Sequence, residues 1–207
     1  MPLWTNTAAG ITNKPKFLTD DANSIYDRTN VYATNAGWVV RAGSAATGNG
    51  NTGAQEEVLV AIGGLAGASA TAGLKHPTLT NFRVITKTAH GGSNNIVFEM
   101  AFDEKIKYVA GSAPTYVLDG ASGSNRTATV THIDGTAITN NLTGNVLRFT
   151  ATSAAATTYT LNNNLTLGNR TSLKDAVTGT SIEAAQTTLT SAIKTAIGVT
   201  TIVIAAP

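Results

Sequence analysis

The stretch NNIVFEMAFDEKIKY, residues 94–108, contains the clearest structural pattern of the chain. Apolar residues occupy every second position in it: Ile96, Phe98, Met100 and Phe102. A period of two predicts a β-strand that buries one face against a facing sheet. The charged residues 103–105 interrupt this pattern before Ile106 resumes it. We therefore expect a long strand that bends or bulges at its charged residues.

The rest of the C-terminal half continues in short strand-like runs separated by turn residues, at a spacing of roughly 10 to 15 residues that is typical of an all-β sandwich. Strands are predicted near residues 79–88, 95–102, 115–118, 127–133, 145–151 and 158–161. Leu147 and Phe149 repeat the alternation of the first stretch. The predicted core of the sandwich is therefore Phe98, Met100, Phe102, Leu147 and Phe149.

The period changes near the C-terminus. Residues 181–197 carry apolar side chains at helical spacing, and Gly198 follows where a C-terminal cap would stand. Thr180 and Glu183 have the spacing of a capping box. Threonine is a poor helix former, so we predict a short helix here and keep a strand as the alternative. The last apolar run, residues 199–205, predicts a closing strand in a buried position.

A β-hairpin is predicted in the N-terminal part. In residues 31–41, two short apolar runs flank residues 35–37, and the asparagine and glycine among these tolerate the positive φ of hairpin loops. Trp38 would be the main buried side chain of this hairpin. Residues 56–63 are rich in β-branched side chains and predict a further strand.

Two stretches rich in glycine and alanine, residues 43–54 and 63–73, predict flexible linkers because small side chains cannot pack. After the second stretch, the sequence changes to short strand-like runs separated by turn residues. We therefore divide the chain into an N-terminal arm with a small β module, residues 1–75, and a β-sandwich, residues 76–207.

The first 30 residues are polar, with sparse apolar side chains. They are compatible with a frayed terminus or with an arm that docks on a neighbouring subunit. Residues 1–75 offer too few apolar side chains to close a core alone, and aromatic residues are enriched as anchors at protein interfaces. The predicted interface residues are therefore Trp4, Phe17, Tyr26, Tyr32 and Trp38.

The composition argues against several partners. Cysteine is absent, which removes disulfides, thiolate metal sites and cysteine nucleophiles. Lysine and arginine are scattered singly and the formal net charge is only +2, so nucleic acid is not a predicted partner. No apolar run approaches the length of a membrane span, so no membrane is predicted either.

No pattern of catalytic or metal-binding residues is visible. The three histidines are far apart in sequence and form no zinc-type pair. Calcium needs several carboxylates brought together by the fold, and Asp103, Glu104 and Asp175 are the best candidates, although no EF-hand-type loop occurs. We predict that the chain is not an enzyme and that it needs no metal and no cofactor.

Two resemblances bear on function. Residues 96–130, followed by VLRFTATSAAATTYTLN (146–162) and LTLGNRTSLKDAVTG (165–179), resemble the bacterial immunoglobulin-like repeats of surface adhesins and phage virion proteins. KPKFLTD (14–20), NVYATNAGWVVRAG (30–43) and EEVLVAIGGL (56–65) are similar to a short module in structural proteins of tailed phages of marine cyanobacteria. The first resemblance implies an immunoglobulin-like β-sandwich for residues 76–207.

The second resemblance implies a component of the virion, made in the host cytoplasm. The expected function is that of a capsid decoration or cement protein, attached through its N-terminal part. Its expected partners are the major capsid protein or other virion subunits, together with further copies of itself on the particle. The alternative is a carbohydrate-binding or adhesion module on a virion fibre or tail, whose ligand would be a glycan.

Overall fold

The computed structural model describes residues 29–44, 50–67, 74, 76–161, 166–198 and 200–206. The fold is all-β, as predicted, and the described strands join into one large curled sheet. The strands are β1 (Val31–Thr34), β2 (Gly37–Val40), β3 (Glu57–Ala61), β4 (Leu79–Lys87), β5 (Ile96–Tyr108), β6 (Thr115–Gly120), β7 (Arg126–Ile133), β8 (Thr136–Ala137), β9 (Thr143–Ala151), β10 (Thr157–Thr160), β11 (Leu173–Asp175) and β12 (Thr201–Ile204).

Strand β5 is the centre of the sheet. Its first half lies between β4 and β9, and its second half lies between β11 and β9, all of them antiparallel to it. The register with β9 shifts between Ala101 and Ile106, which confirms the predicted bulge at the charged residues. At this irregularity β1 joins β5 in parallel, through the pair Ala33 and Glu104.

The strands β4 to β12 form the main body. Its strands follow the order β4, β5, β9, β7, β6, β10, β12, and the sheet curls until the two ends approach each other. The backbone N–H of His90, after β4, donates a hydrogen bond to the carbonyl of Ala205, after β12, at 3.4 Å. This curl encloses one large apolar core.

The predicted core residues are all buried. Phe98, Met100, Phe102, Leu147 and Phe149 are each 0% exposed. The ring of Phe98 stacks between those of Phe82 and Phe149, with centroids 4.9 and 5.0 Å away, and contacts Tyr116 edge-on at 5.8 Å. The alternation in β5 and β9 therefore identified the inward faces of both strands.

Strands β1 to β3, with residues 62–67 and 74, form what we call the small module. β1 and β2 make the predicted hairpin. Its turn requires glycine at position 37, because φ there is +129° and a Cβ would lie 2.0 Å from the carbonyl oxygen of Val60. Trp38 is fully buried, as predicted. It packs in a second apolar cluster with Val31, Ala33, Leu65, Ala66 and Leu74.

This second cluster corrects two expectations. Residues 63–67 are not a linker, since Leu65 and Ala66 are 0% exposed and the N–H of Leu74 donates a hydrogen bond to the carbonyl of Leu65. The N-terminal part also has enough apolar side chains for a small core of its own. The predicted boundary at residue 75 lies between the two clusters, and it stays a prediction because β1 and β5 belong to one sheet.

The helix predicted in residues 181–197 is present in part. A 3₁₀ helix, Ala184–Thr187, and a short α-helix, α1 (Ser191–Ile197), replace one continuous helix, and Gly198 follows α1 at φ +69° as the expected cap position. The capping box is formed by Glu183 with Gln186, one turn later than predicted. The threonine-rich residues between the two helices favour extended backbone because β-branched side chains lower helix propensity.

Strand β12, for which a buried position was predicted, is buried on one face only. Ile202 and Ile204 face the core, whereas Val203 is 52% exposed. The side chains of β12 alternate between core and solvent, but this alternation is not visible in the sequence because apolar residues occur on both faces. No helix in the described part of the chain is long and apolar enough to cross a membrane.

Candidate functional site

The predicted interface residues divide into two groups. Tyr32 and Trp38 are buried by this chain's own residues, at 2% and 0% exposure, so neither presents a free surface to a partner. Trp4, Phe17 and Tyr26 lie outside the described residues. The predicted aromatic docking surface is therefore reduced to Trp4, Phe17 and Tyr26, for which it stays a prediction.

Every aromatic side chain that the structure describes is buried. Besides Tyr32 and Trp38, these are Phe82, Phe98, Phe102, Tyr108, Tyr116, Phe149 and Tyr159. A sugar ring normally stacks on an exposed aromatic face. The described surface has no such platform, so no observation on it favours the glycan-binding alternative.

The small module contacts the main body through a group of polar side chains that we call the junction. Arg41 donates to Asp134 Oδ1 at 2.9 Å and also to Asn145 Oδ1. Asn145 is fully buried, and its amide donates to the carbonyls of Thr29 and Phe102, each at 3.1 Å. One buried amide thus joins Thr29, two residues before β1, to β5.

The carbonyl of Phe102 explains why an asparagine stands at position 145. The bulge places Asn145 opposite the part of β5 where the β5 to β9 register is broken. A buried carbonyl without a partner costs about 1 to 3 kcal/mol, and the Asn145 amide supplies the missing donor. The bulge and the junction are therefore parts of one hydrogen-bonded arrangement.

A second group at the junction surrounds Glu56. Tyr32 donates to Glu56 Oε1 at 2.7 Å, and Lys105 Nζ lies 2.5 Å from the same oxygen. Partial burial opposes ionisation of Glu56, but the hydrogen bonds from Lys105 and Tyr32 outweigh it and hold the pKa of this carboxyl below its usual value. Lys105 Nζ also lies 5.1 Å from the centroid of the Tyr32 ring, within cation–π range.

Tyr32 is fixed as a hydrogen-bond donor in this group. Burial, and then its hydrogen bond to the ionised Glu56, raise the pKa of the Tyr32 hydroxyl far above its ordinary value. Its proton is therefore retained at any pH at which the protein would be handled. The contact is structural and does not provide an acid or a base.

Next to the junction lies a cluster of two arginines on one glutamate, which we call the arginine cluster. Arg83 donates from Nε and Nη2 to Glu99 Oε2 at 2.9 and 2.7 Å. Arg148 donates from Nε and Nη2 to Glu99 Oε1 at 2.9 and 2.8 Å. Glu99 is 5% exposed, so it is a buried charge that is fully paired.

The arginine cluster borders a cavity of about 230 Å³. Arg41 and Asp134 of the junction line the same cavity, together with Thr29 and Gly135. The lining therefore contains three arginines and two carboxylates.

The carboxylates proposed for calcium are close together, but their oxygens are directed to the backbone. Asp175 accepts from the N–H groups of Val177 and Thr178, and Asp103 accepts from the N–H of Thr78 at 2.7 Å. Within the described residues, no group of three or more histidine, aspartate or glutamate side chains is placed to hold a metal ion.

Glu104 is the exceptional member of this group. It is 0% exposed, and neither of its carboxylate oxygens has a hydrogen-bond partner within the described chain. Burial, followed by the nearby charges of Asp103 and Asp175, raises the pKa of Glu104 from 4.5 to about 9. This side chain is therefore a neutral acid at pH 7.

Sequence reasoning missed the cluster of Glu99, Arg83 and Arg148. Each is a single charged residue in a different strand or strand end, and only the register of β4, β5 and β9 brings them together. The one local signal was Glu99, a lone acidic residue inside a strongly apolar strand.

Comparison with known proteins finds no matching family model, no matching curated protein and no matching solved structure.

Proposed function

We propose that the chain is a non-enzymatic structural protein of a virus particle, a capsid decoration or cement protein attached through its N-terminal part. The main body, with its immunoglobulin-like sandwich, would project from the shell. The proposed partners are the major capsid protein or other virion subunits, with neighbouring copies of this chain on the particle.

The observation that carries this proposal is the junction. A decoration protein must transmit any force on its projecting domain to its point of attachment. Arg41, Asn145 and Lys105 tie the small module to the main body through buried or half-buried polar contacts. Such a fixed connection suits a protein that displays one domain on another more than it suits a flexible tether.

The attachment itself is assigned to Trp4, Phe17 and Tyr26. Tyr32 and Trp38 are committed to the interior of the chain, so they are withdrawn from the proposed docking surface. Aromatic anchors at protein interfaces typically contribute about 2 kcal/mol or more each, which corresponds to roughly a thirtyfold change in Kd.

The test uses the full chain and particles that were assembled without it. Trp4→Ala, Phe17→Ala and Tyr26→Ala should each lower the number of copies that sediment with the particles. Val203→Ala is the control, because Val203 is 52% exposed on β12 of the main body. Equal retention of all four variants and the unchanged chain would exclude attachment through the N-terminal part. Complete failure of the unchanged chain to load would refute the particle proposal itself.

A further inference from the structure

The arginine cluster is built by cross-strand register. Arg83 on β4 pairs with Glu99 on β5, and Glu99 pairs with Arg148 on β9, so the three side chains stand side by side on one face of the sheet. Each arginine uses its Nε and one Nη on Glu99. These bonds occupy one edge of each guanidinium group, and among the described residues the other Nη group of each has no acceptor.

The charges facing the cavity do not cancel. Arg41 and Asp134 form an ion pair at 2.5 Å, which is neutral in sum. Two arginines share the single charge of Glu99, so the described residues of the lining carry one excess positive charge. Arg83 and Arg148 are 49% and 34% exposed, so their remaining donors can be reached from solvent.

We propose that this cavity binds a carboxylate, supplied by an acidic side chain of a partner protein. Guanidinium groups present paired N–H donors in a planar fork that matches a planar carboxylate. The cavity of about 230 Å³ has room for one side chain, and no aromatic residue lines it to hold a sugar ring. Arg83 and Arg148 would bind this ligand, whereas the proposed attachment uses Trp4, Phe17 and Tyr26.

The probes are two short peptides that differ only in one residue, glutamate or glutamine. The full chain is titrated with each, and the Nε–H signals of Arg83 and Arg148 are followed by NMR. The glutamate peptide should shift both signals saturably, with binding weakened by salt because the attraction is between charges. The glutamine peptide should produce no saturable shift. Equal responses to the two peptides would overturn the proposal.

Arg83→Gln should weaken glutamate-peptide binding about tenfold or more, because it removes the excess charge and one fork. Lys87→Gln is the matched control: it removes the same charge from an exposed position of the same strand, outside the cavity. It should leave binding within about twofold. Equal losses of affinity in the two variants would mean that the peptide is held only by a general attraction between charges and not by this cavity.

Two further measurements keep the outcome clear. Arg83→Lys keeps the charge and loses the planar fork, so it should give an intermediate affinity, and it replaces Arg83→Gln if that variant does not fold. Inorganic phosphate serves as a competitor. Tighter binding of phosphate than of the glutamate peptide would assign the cavity to a phosphate group and refute the carboxylate proposal.

Discussion

Replacing Glu104 with glutamine should make the protein less sensitive to pH. Glu104 is a buried acid with pKa about 9, whereas its ordinary value is 4.5. Below pH 4.5 the proton is bound in both the folded and the unfolded chain. Between pH 4.5 and about 9 the unfolded chain releases it and the folded chain keeps it, so the free energy of unfolding falls as the pH rises. Glutamine has no proton to release.

The size of the effect follows from the pKa shift. One pH unit is worth about 1.4 kcal/mol. Because the unfolded carboxyl is only half ionised at pH 4.5, the interval from pH 4.5 to pH 7 corresponds to about 3 kcal/mol. The buried amide of glutamine has its own cost, because it too lacks partners, but this cost does not depend on pH. The expected result is therefore that the advantage of Glu104→Gln over the unchanged chain grows by about 3 kcal/mol between the two pH values.

The assay is urea unfolding of the full chain at pH 4.5, 5.5, 6.3 and 7, followed by circular dichroism. Glu57→Gln is the control, because Glu57 is an exposed carboxylate on β3. Its free energy of unfolding should run parallel to that of the unchanged chain. If the advantage of Glu104→Gln is constant within about 0.5 kcal/mol, Glu104 is ionised in the folded protein and the reasoning is wrong.

Two other predictions concern the core and the junction. Phe98→Ala should lower the free energy of unfolding by about 3 to 5 kcal/mol, since Phe98 is fully buried between two rings, and exposed Val117→Ala should cost less than about 0.5 kcal/mol in the same urea titration. A loss below about 1 kcal/mol for Phe98→Ala would contradict its place in the core. At the junction, Arg41→Met, Asp134→Asn and the double variant should give a coupling energy of about 1 to 2 kcal/mol, because the pair is half-buried at 2.5 Å. Asparagine tolerates the positive φ of position 134, so additive effects would mean that the ion pair does not stabilise the junction.

The sequence alone predicted the features that depend on neighbouring residues. The alternation in β5 and β9, the hairpin turn before Gly37 and the cap at Gly198 are local patterns, and each is present. The predicted C-terminal helix is present only at Ser191–Ile197, because the threonines before it have low helix propensity. The short strands β8 and β11 were missed because two or three residues are too few for a period to be visible.

The candidate sites could not be predicted in the same way. The arginine cluster depends on which residues of β4, β5 and β9 stand opposite each other, and a single sequence does not contain that register. Glu104 did have a local signal, since it shares its parity with Phe102 and Ile106, and both are buried. Its charge was read as an interruption of the alternation, although its position in the alternation indicated burial.

The charged residues of β5 determine how the two parts of the chain are joined. β1 meets β5 at the single pair of Ala33 and Glu104, which is too short to fix an orientation by backbone hydrogen bonds alone. The bulge that admits β1 also breaks the pairing with β9, and there Asn145 bonds to both the Phe102 carbonyl and the chain just before β1. Side-chain hydrogen bonds therefore take the place of a longer backbone pairing between β1 and β5. Because these contacts are few and specific, loss of Asn145 should loosen the small module while the core around Phe98 remains packed.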